Sequence, residues 1–378
     1  MIKKIIKIAF TIFFAVVSVM CLIWPAAADE LKINARAAIL MDAETGQVYF
    51  AKDAAKRRSP ASLTKLMTAI LAVENGNLND VVVVSGRAAS VSVGSTIGLR
   101  KGDRITLGNL LKAALITSAN DATVAIAEHV GGNHDNFVHQ MNRKAALLGA
   151  KDTRFINTNG YFNPKHYSTA YDLGLITRYA LQIPQINELV STREAVVRWI
   201  EPEREKEVKN TNRLLFSEDV EGIDGVKTGS TARAGNCLIA SATRGDRRLI
   251  AVVLHAGNRY REAAKLLEYG FSAVQPVVIF PSGKKMAEVP VKNGLAGTVP
   301  VIVAEPVRVH MAKDQFKNIR LNIKFINDAP VAPVREGQLL GHAVFTINGY
   351  RLSKVPLVAS REVPPRPLFA RIMYWLSD

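Results

Sequence analysis

Hydrophobic positions along the chain fall into four textures. The first is continuous: an apolar run from Ile8 to Trp24 follows Lys3, Lys4 and Lys7 and precedes Pro25-Ala26-Ala27-Ala28. A basic start, an apolar centre and a small-residue end predict a secretory signal peptide over 1–28, cut after Ala28. From Asp29 to Gln275, apolar stretches of helical length (Leu63 to Val73, Leu110 to Ile116, Ala122 to Ala127) mix with short strand-like runs at Ala38 to Met41, Cys237 to Ala242 and Leu249 to Leu254. That mixture predicts an α/β domain over 29–275. Past Pro276 the period becomes two. Val289, Val291, Val299, Val301, Val303, Val307 and Val309 alternate with other residues, and the runs Ile319 to Phe325, His342 to Ile347 and Val355 to Val358 are separated by Gly and Pro turns. A small all-β module is predicted over 276–360. The last texture, 361–378, is a stiff linker, Val363-Pro364-Pro365-Arg366-Pro367, and a strip in which Phe369, Ile372, Met373 and Leu376 recur at helical spacing beside Tyr374 and Trp375. The strip is too short to span a bilayer, but an amphipathic segment of this kind lies in the interface.

Charge and cysteine content fit an exported protein. The chain of 378 residues carries a formal charge of +16; the first 28 residues hold three lysines and no acids, so the mature chain keeps about +13. A chain this basic, outside the cytoplasm and without a nucleic-acid motif, points to anionic phospholipid or acidic wall polymers. Only Cys237 survives removal of the leader; it cannot form an internal disulfide, and its strand setting predicts a buried thiol. Cys21 does not mark a lipoprotein, because Met20 stands where that processing needs a small residue.

Three short strings carry chemistry: Ser62-Leu63-Thr64-Lys65, Ser118-Ala119-Asn120 and Lys227-Thr228-Gly229. A serine hydroxyl is a poor nucleophile until a base takes its proton, and a lysine one helical turn later lies on the same face. The lysine must be neutral to act so, which requires burial or a neighbouring positive charge; Lys227 is the candidate neighbour. Ser118 can then relay a proton to the leaving amine. Each string is weak alone. A second S-x-x-K match, Ser282-Gly283-Lys284-Lys285, follows Pro281 and contains a glycine, so it reads as a turn with solvated lysines. Ser62 instead opens a buried helix after Pro60 and Ala61, where the positive end of the helix dipole favours developing negative charge. The joint occurrence in order matches the signature shared by class A β-lactamases and penicillin-binding proteins.

With Ala37-Ala38-Ile39-Leu40-Met41-Asp42-Ala43-Glu44-Thr45-Gly46, Gly102-Asp103-Arg104-Ile105-Thr106, Phe155 to Gly160, His166 to Ala170 and Asn210 to Leu215 added, the chain resembles the low-molecular-mass penicillin-binding proteins over nearly its whole length. The likeness is to D-alanyl-D-alanine carboxypeptidases of the penicillin-binding protein 5 type. It implies an α/β (α+β) serine β-lactamase/transpeptidase-like domain, an antiparallel sheet flanked by helices with the site between sheet edge and helical lobe. It also implies removal of the terminal D-alanine from peptidoglycan pentapeptide stems, acylation by β-lactams, no cofactor and no metal. By resemblance Ser62 is the acylated nucleophile, Lys65 its base, and Ser118, Asn120 and Lys227 shuttle protons and hold the substrate amide. Thr228 with Gly229 and Ser230 binds the substrate, and the backbone N–H groups of Ser62 and Ser230 form the oxyanion hole. Some relatives carry an arginine where this chain has Thr211, so the cation that helps Thr228 grip a carboxylate is not given by the motif; Arg261 is the candidate. The resemblance places the protein in the periplasm, attached peripherally to the outer face of the inner membrane by its tail.

Competing readings remain at this level. A β-lactamase shares the acylation machinery, but no Glu-x-x-Leu-Asn pattern lies between Asn120 and Lys227. A DD-endopeptidase or a non-catalytic wall-binding scaffold would carry the same strings. A metal peptidase is disfavoured, because His129, His134 and His139 drift around a helix and neither His-Glu-x-x-His nor a cysteine partner is present. His166 and His255 read as structural.

Overall fold

The computed structural model describes residues 31–367; the leader and the apolar strip at 368–378 lie outside the described residues. The central sheet uses β1 (Ala37–Asp42) and β2 (Val48–Lys52), while β3 (Val81–Val83), β4 (Arg104–Thr106), β5 (Glu194–Glu201) and β6 (Arg204–Lys209) build a small sheet beside it. The strands β7 (Ile223–Thr231), β8 (Gly235–Arg244) and β9 (Arg247–Ala256) complete the central sheet in the order β2-β1-β9-β8-β7, every pair antiparallel. An antiparallel sheet often wets one face, yet all of β1 and Leu249 to Leu254 are buried. Helices on both sides explain this. Gly270 of the helix Arg259–Ser272 closes on Leu40 and Leu249, and Gly174 of the helix Ala170–Leu181 closes on Met41 and Ile39. The continuous apolar runs of the sequence are therefore strands covered twice.

The apolar stretch Leu63 to Val73 becomes the central helix of the adjoining lobe. Its α-helical part, Lys65–Asn75, is buried at every position from Lys65 to Ala72, as expected of a helix apolar all round. Around it pack Leu107–Ile116, Asn120–Gly131, His134–Leu147 and Ala170–Leu181. The structure differs from expectation at one end: Ser62 sits not at the mouth of an α-helix but inside a 3-10 turn, Ala61–Thr64. Ala61 is held in the left-handed region at φ 49°. The cause is a loop pressed onto the turn from Thr158 to Gly160. Thr64 Oγ1 donates to Ala61 O at 2.8 Å and lies 2.9 Å from His166 Nε2, and Thr68 Oγ1 donates to Thr158 O at 2.7 Å.

Seven further strands form the C-terminal part: β10 (Gln275–Phe280), β11 (Lys285–Pro290), β12 (Thr298–Val303), β13 (Val307–Met311), β14 (Ile319–Phe325), β15 (Leu339–Ile347) and β16 (Tyr350–Ala359). They make a five-stranded sheet, β11-β12-β16-β15-β14, and the pair β10-β13, closed over Val299, Val301, Val303, Leu357 and Phe345. The valines of the period-two pattern are this core. Gln47 donates to His310 O, Gln315 Nε2 donates to Tyr49 O at 2.9 Å, and the rings of Tyr171 and Tyr350 stand 4.8 Å apart, joining this part to β2 and the helix Ala170–Leu181. The second S-x-x-K copy is a turn, with Gly283 at φ 76° and Lys285 paired with Glu288.

Gly160, at φ 81°, has no room for a side chain, because a Cβ would fall 1.8 Å from Ala61 O. Gly160→Ala is expected to cost about 2 kcal/mol or more of stability, and to slow acylation by a β-lactam at least tenfold by shifting the Ser62 turn; denaturant unfolding and the acylation rate check both.

Candidate active site

Three remote segments meet where the edge strand β7 passes the turn that carries Ser62. Gly229 permits the approach, since a Cβ there would lie 3.0 Å from the backbone nitrogen of Ser62 and 3.1 Å from Pro60 O. Lys65, the first residue of the α-helix, is fully buried and reaches back to Ser62. Its Nζ lies 2.8 Å from Ser62 Oγ, 2.7 Å from Asn120 Oδ1 and 3.2 Å from Asn159 O. The amide of Asn120 is oriented by its own Nδ2, which donates to Val93 O at 2.7 Å, so its oxygen faces the lysine.

These three partners serve an uncharged amine as well as an ammonium, and burial selects the amine. Such a nitrogen has two N–H groups and one lone pair. Asn120 Oδ1 and Asn159 O can only accept, and take the two donors; the lone pair is left for a proton held by the Ser62 hydroxyl. The electrostatics run the same way. Burial pushes Lys65 well below the usual lysine range and the charge of Lys227 adds to the effect, with Asp121 opposing. Asp121 is itself occupied, accepting from the backbone nitrogens of Ile97, Gly98, Leu99 and Ala122. It thereby holds the loop whose Ser95 O accepts from Asn120 N at 2.7 Å.

Ser118 lies on the turn between Leu107–Ile116 and Asn120–Gly131, at φ 63°, and lines the cleft. Lys227, on β7, is buried; burial and then the charge of Arg259 lower it to about 7. Thr228 Oγ1 lies 2.6 Å from Thr211 Oγ1, and Ser230 follows on the same strand. The cleft lined by Ser118, Thr211, Thr228 and Ser230 measures about 610 Å³, and among the described residues no Asp or Glu lines it.

Arg261 is not brought to this site. Its side chain is 61% exposed and pairs with Glu262 at 3.6 Å. Asn258 caps the helix Arg259–Ser272, so consecutive side chains fan out by about 100° each, and the phase turns Arg259 and Tyr260 toward the cleft instead. Arg259 Nη1 donates to Ser230 Oγ at 2.7 Å and to Gly229 O at 3.1 Å, and Tyr260 Oη donates to Thr211 O at 3.1 Å. The asparagine cap two residues before Tyr260 was the available signal. Asn159 was also missed as a contact of Lys65, since it acts through its backbone carbonyl, which no residue type announces.

The histidines and the cysteine have other work. His166 is buried and lowered to about 4 by burial; its Nδ1 accepts from Ile156 N, and its Nε2 faces Thr64, bracing the Ser62 turn. His129 faces Asp80, and His134 faces Asp135. Cys237 is buried in β8, and burial pushes its thiol up to about 11.

A hydroxyl touching a buried, depressed lysine, next to a second depressed lysine on a sheet edge, defines the active-site-serine acyl-transfer class. Comparison with known proteins narrows this. The family model for D-alanyl-D-alanine carboxypeptidase matches residues 25–258, and that for the penicillin-binding protein 5 C-terminal domain matches residues 275–365. The D-alanyl-D-alanine carboxypeptidase DacF of Bacillus subtilis is 36% identical over 344 residues, covering 89% of this chain and 87% of the relative. DacC of Escherichia coli is 32% identical over 354 residues, covering 90% and 87%. Among solved structures, the D-alanyl-D-alanine carboxypeptidase DacD of Francisella tularensis superposes with a TM-score of 0.70 at 28% identity, covering 90% of this chain and 98% of that one. The chain belongs to the D-alanyl-D-alanine carboxypeptidase family, the penicillin-binding serine enzymes, with a C-terminal domain of the penicillin-binding protein 5 type.

The two lysines set the pH dependence. Acylation by a β-lactam, followed as the second-order rate on free enzyme, is expected to rise as Lys65 loses its proton and to fall as Lys227 loses its own near 7. Arg259→Gln removes a charge that lowers Lys227, so the alkaline limb is expected to move to higher pH; a limb that stays or moves down counts against the arrangement.

Proposed function

We propose that this site removes the terminal D-alanine from peptidoglycan pentapeptide stems through an acyl-enzyme on Ser62. The observation that carries the reading is the buried Lys65 amine, in contact with Ser62 Oγ and saturated on its donor side by Asn120 and Asn159. Lys65 takes the hydroxyl proton as Ser62 Oγ attacks the carbonyl of the penultimate D-alanine. The oxyanion that forms is held by the N–H groups of Ser62 and Ser230. Lys65 passes that proton through Ser118, beside the charge of Lys227, to the departing amine; the C–N bond breaks, free D-alanine leaves, and Lys65 is neutral again. Its carboxylate is gripped by Thr228, supported by Thr211 and by the charge of Arg259. Water then attacks the ester with Lys65 again as base, releasing the shortened peptide and restoring the hydroxyl.

β-Lactams would enter by the same route, since their carboxylate and strained amide match the two ends of the cleft. Among the described residues no carboxylate lines the cleft to prime a water, so the penicilloyl ester is expected to persist. A fluorescent penicillin should label the chain once, at Ser62, and Ser62→Ala should lose both the label and release of D-alanine from a pentapeptide. A Ser62→Ala chain that labels as strongly as the parent ends this reading, and cleavage confined to cross-linked peptides replaces it with an endopeptidase.

The site is proposed to work outside the cytoplasmic membrane, in the periplasm, with the leader over 1–28 directing export, the strip at 368–378 lying on the outer face of the inner membrane and the β module acting as its spacer. Among the described residues no helix is long and apolar enough to cross a membrane. Vesicles of anionic phospholipid are expected to co-sediment the mature chain and to release it when it is ended at Pro367; equal sedimentation of both chains excludes the strip as anchor.

A further inference from the structure

A second cavity of about 580 Å³ shares Phe162, Ala232 and Arg233 with the wall of the catalytic cleft. Its walls carry Arg36, Arg57, Arg58, Arg233 and His255, and among the described residues no carboxylate lines it. Among the described residues only Arg57 of these is paired with an acid, Asp152 at 2.7 Å. Arg58 spends one nitrogen on Arg36 O, at 3.1 Å, while its Nε is buried without a hydrogen-bond partner. Arg36 and Arg233 have no acidic partner among the described residues, and the charges of Arg36 and Arg58, after burial, hold His255 below its usual range. Guanidinium groups gathered this way repel one another unless an anion sits between them.

The backbone holds these groups in place. Arg58 exchanges both of its main-chain hydrogen bonds with Ser168, at 2.8 and 2.9 Å, and Arg36 N donates to His255 O at 3.3 Å. The pocket is therefore mounted on the same frame as the Ser62 turn, four residues farther along the chain.

Position along β7 gives the direction. A substrate with its carboxylate at Thr228 and its reacting carbonyl at the N–H of Ser230 continues past Thr231 toward Ala232 and Arg233. At strand spacing, two to three residues upstream of the acylated one span about 7–10 Å, and Arg233, three residues after Ser230, stands on the wall that both cavities share. We propose that this cavity is a second subsite, selecting acyl donors that carry a carboxylate about two residues upstream of the acylated D-alanine. The inference rests on the carboxypeptidase reading above and adds a substrate class to it.

Two synthetic pentapeptides ending in D-Ala-D-Ala, identical except for glutamate or glutamine two residues before the acylated alanine, test this at fixed ionic strength. The parent enzyme is expected to favour the glutamate donor about tenfold in kcat/KM, through KM, as for a charge-assisted contact made equally in ground and transition states. Arg36→Gln, at an exposed position, is expected to shrink the preference to about threefold or less. Arg36→Gln/Arg58→Gln should remove it, with the glutamine donor and penicillin acylation unchanged in all. Arg320→Gln, on the exposed face of β14, should leave the preference intact. Equal use of the two donors by the parent enzyme overturns the subsite while leaving the carboxypeptidase reading standing. A preference lost equally in Arg320→Gln overturns it too, in favour of a diffuse field. If neither donor nor penicillin reacts, the carboxypeptidase reading fails and takes the subsite with it.

Discussion

Everything in the catalytic domain serves the burial of one amine next to one hydroxyl. An ammonium removed from water is so disfavoured that the group gives up its proton instead, and Lys65 is placed where that happens. Three elements are needed to hold it there: the 3-10 turn that raises Ser62, the Asn120–Gly131 helix whose first residue offers Asn120 Oδ1, and the loop at Thr158 to Gly160 that offers a carbonyl. None of these groups is exotic. Their effect comes from exclusion of water and from each partner having one remaining way to bond.

The arrangement carries a thermodynamic cost with a definite sign. Lys227 titrates at about 7 when folded and near 10.5 when free, so between these values the unfolded chain binds a proton that the folded chain does not. Stability therefore rises with pH across that window, and the penalty is fully present below about 7. Lys65 adds a penalty of the same sign. The large cores on both faces of the sheet and around the Lys65–Asn75 helix offset it. Lys227 and Arg259 also explain why the sheet edge suits a carboxylate: both are cationic groups at β7, and among the described residues no acid lines the cleft.

Much of this was legible before any coordinates. Strands at Ala38 to Met41 and Leu249 to Leu254, helices at Leu63 to Val73 and Leu110 to Ile116 and the valine-rich β module all appear where hydrophobic period and turn residues placed them. Those signals are local and repeat, so a reader of the chain can count them. Ser62 does open the buried helix, but the 3-10 form of its first turn was not legible, because Gly160 and His166, about a hundred residues away, press on it. Arg261 was preferred to Arg259 because a side chain's direction depends on helix phase, and that phase is set by the cap at Asn258 together with the packing of the helix on β8 and β9.

The order and spacing of residues by themselves determined the reaction class, since Ser62 and Lys65 one turn apart are neighbours in any helical geometry and the two later strings, in order, separate them from the chance match at Ser282. Tertiary structure alone decided which further groups serve that pair, Asn159 through its carbonyl and Arg259 through helix phase, and it alone collected four arginines from three segments of chain around a neighbouring cavity. The physical reason is that burial, charge proximity and backbone direction are properties of space between segments, and a linear pattern records only what lies within a few residues of itself.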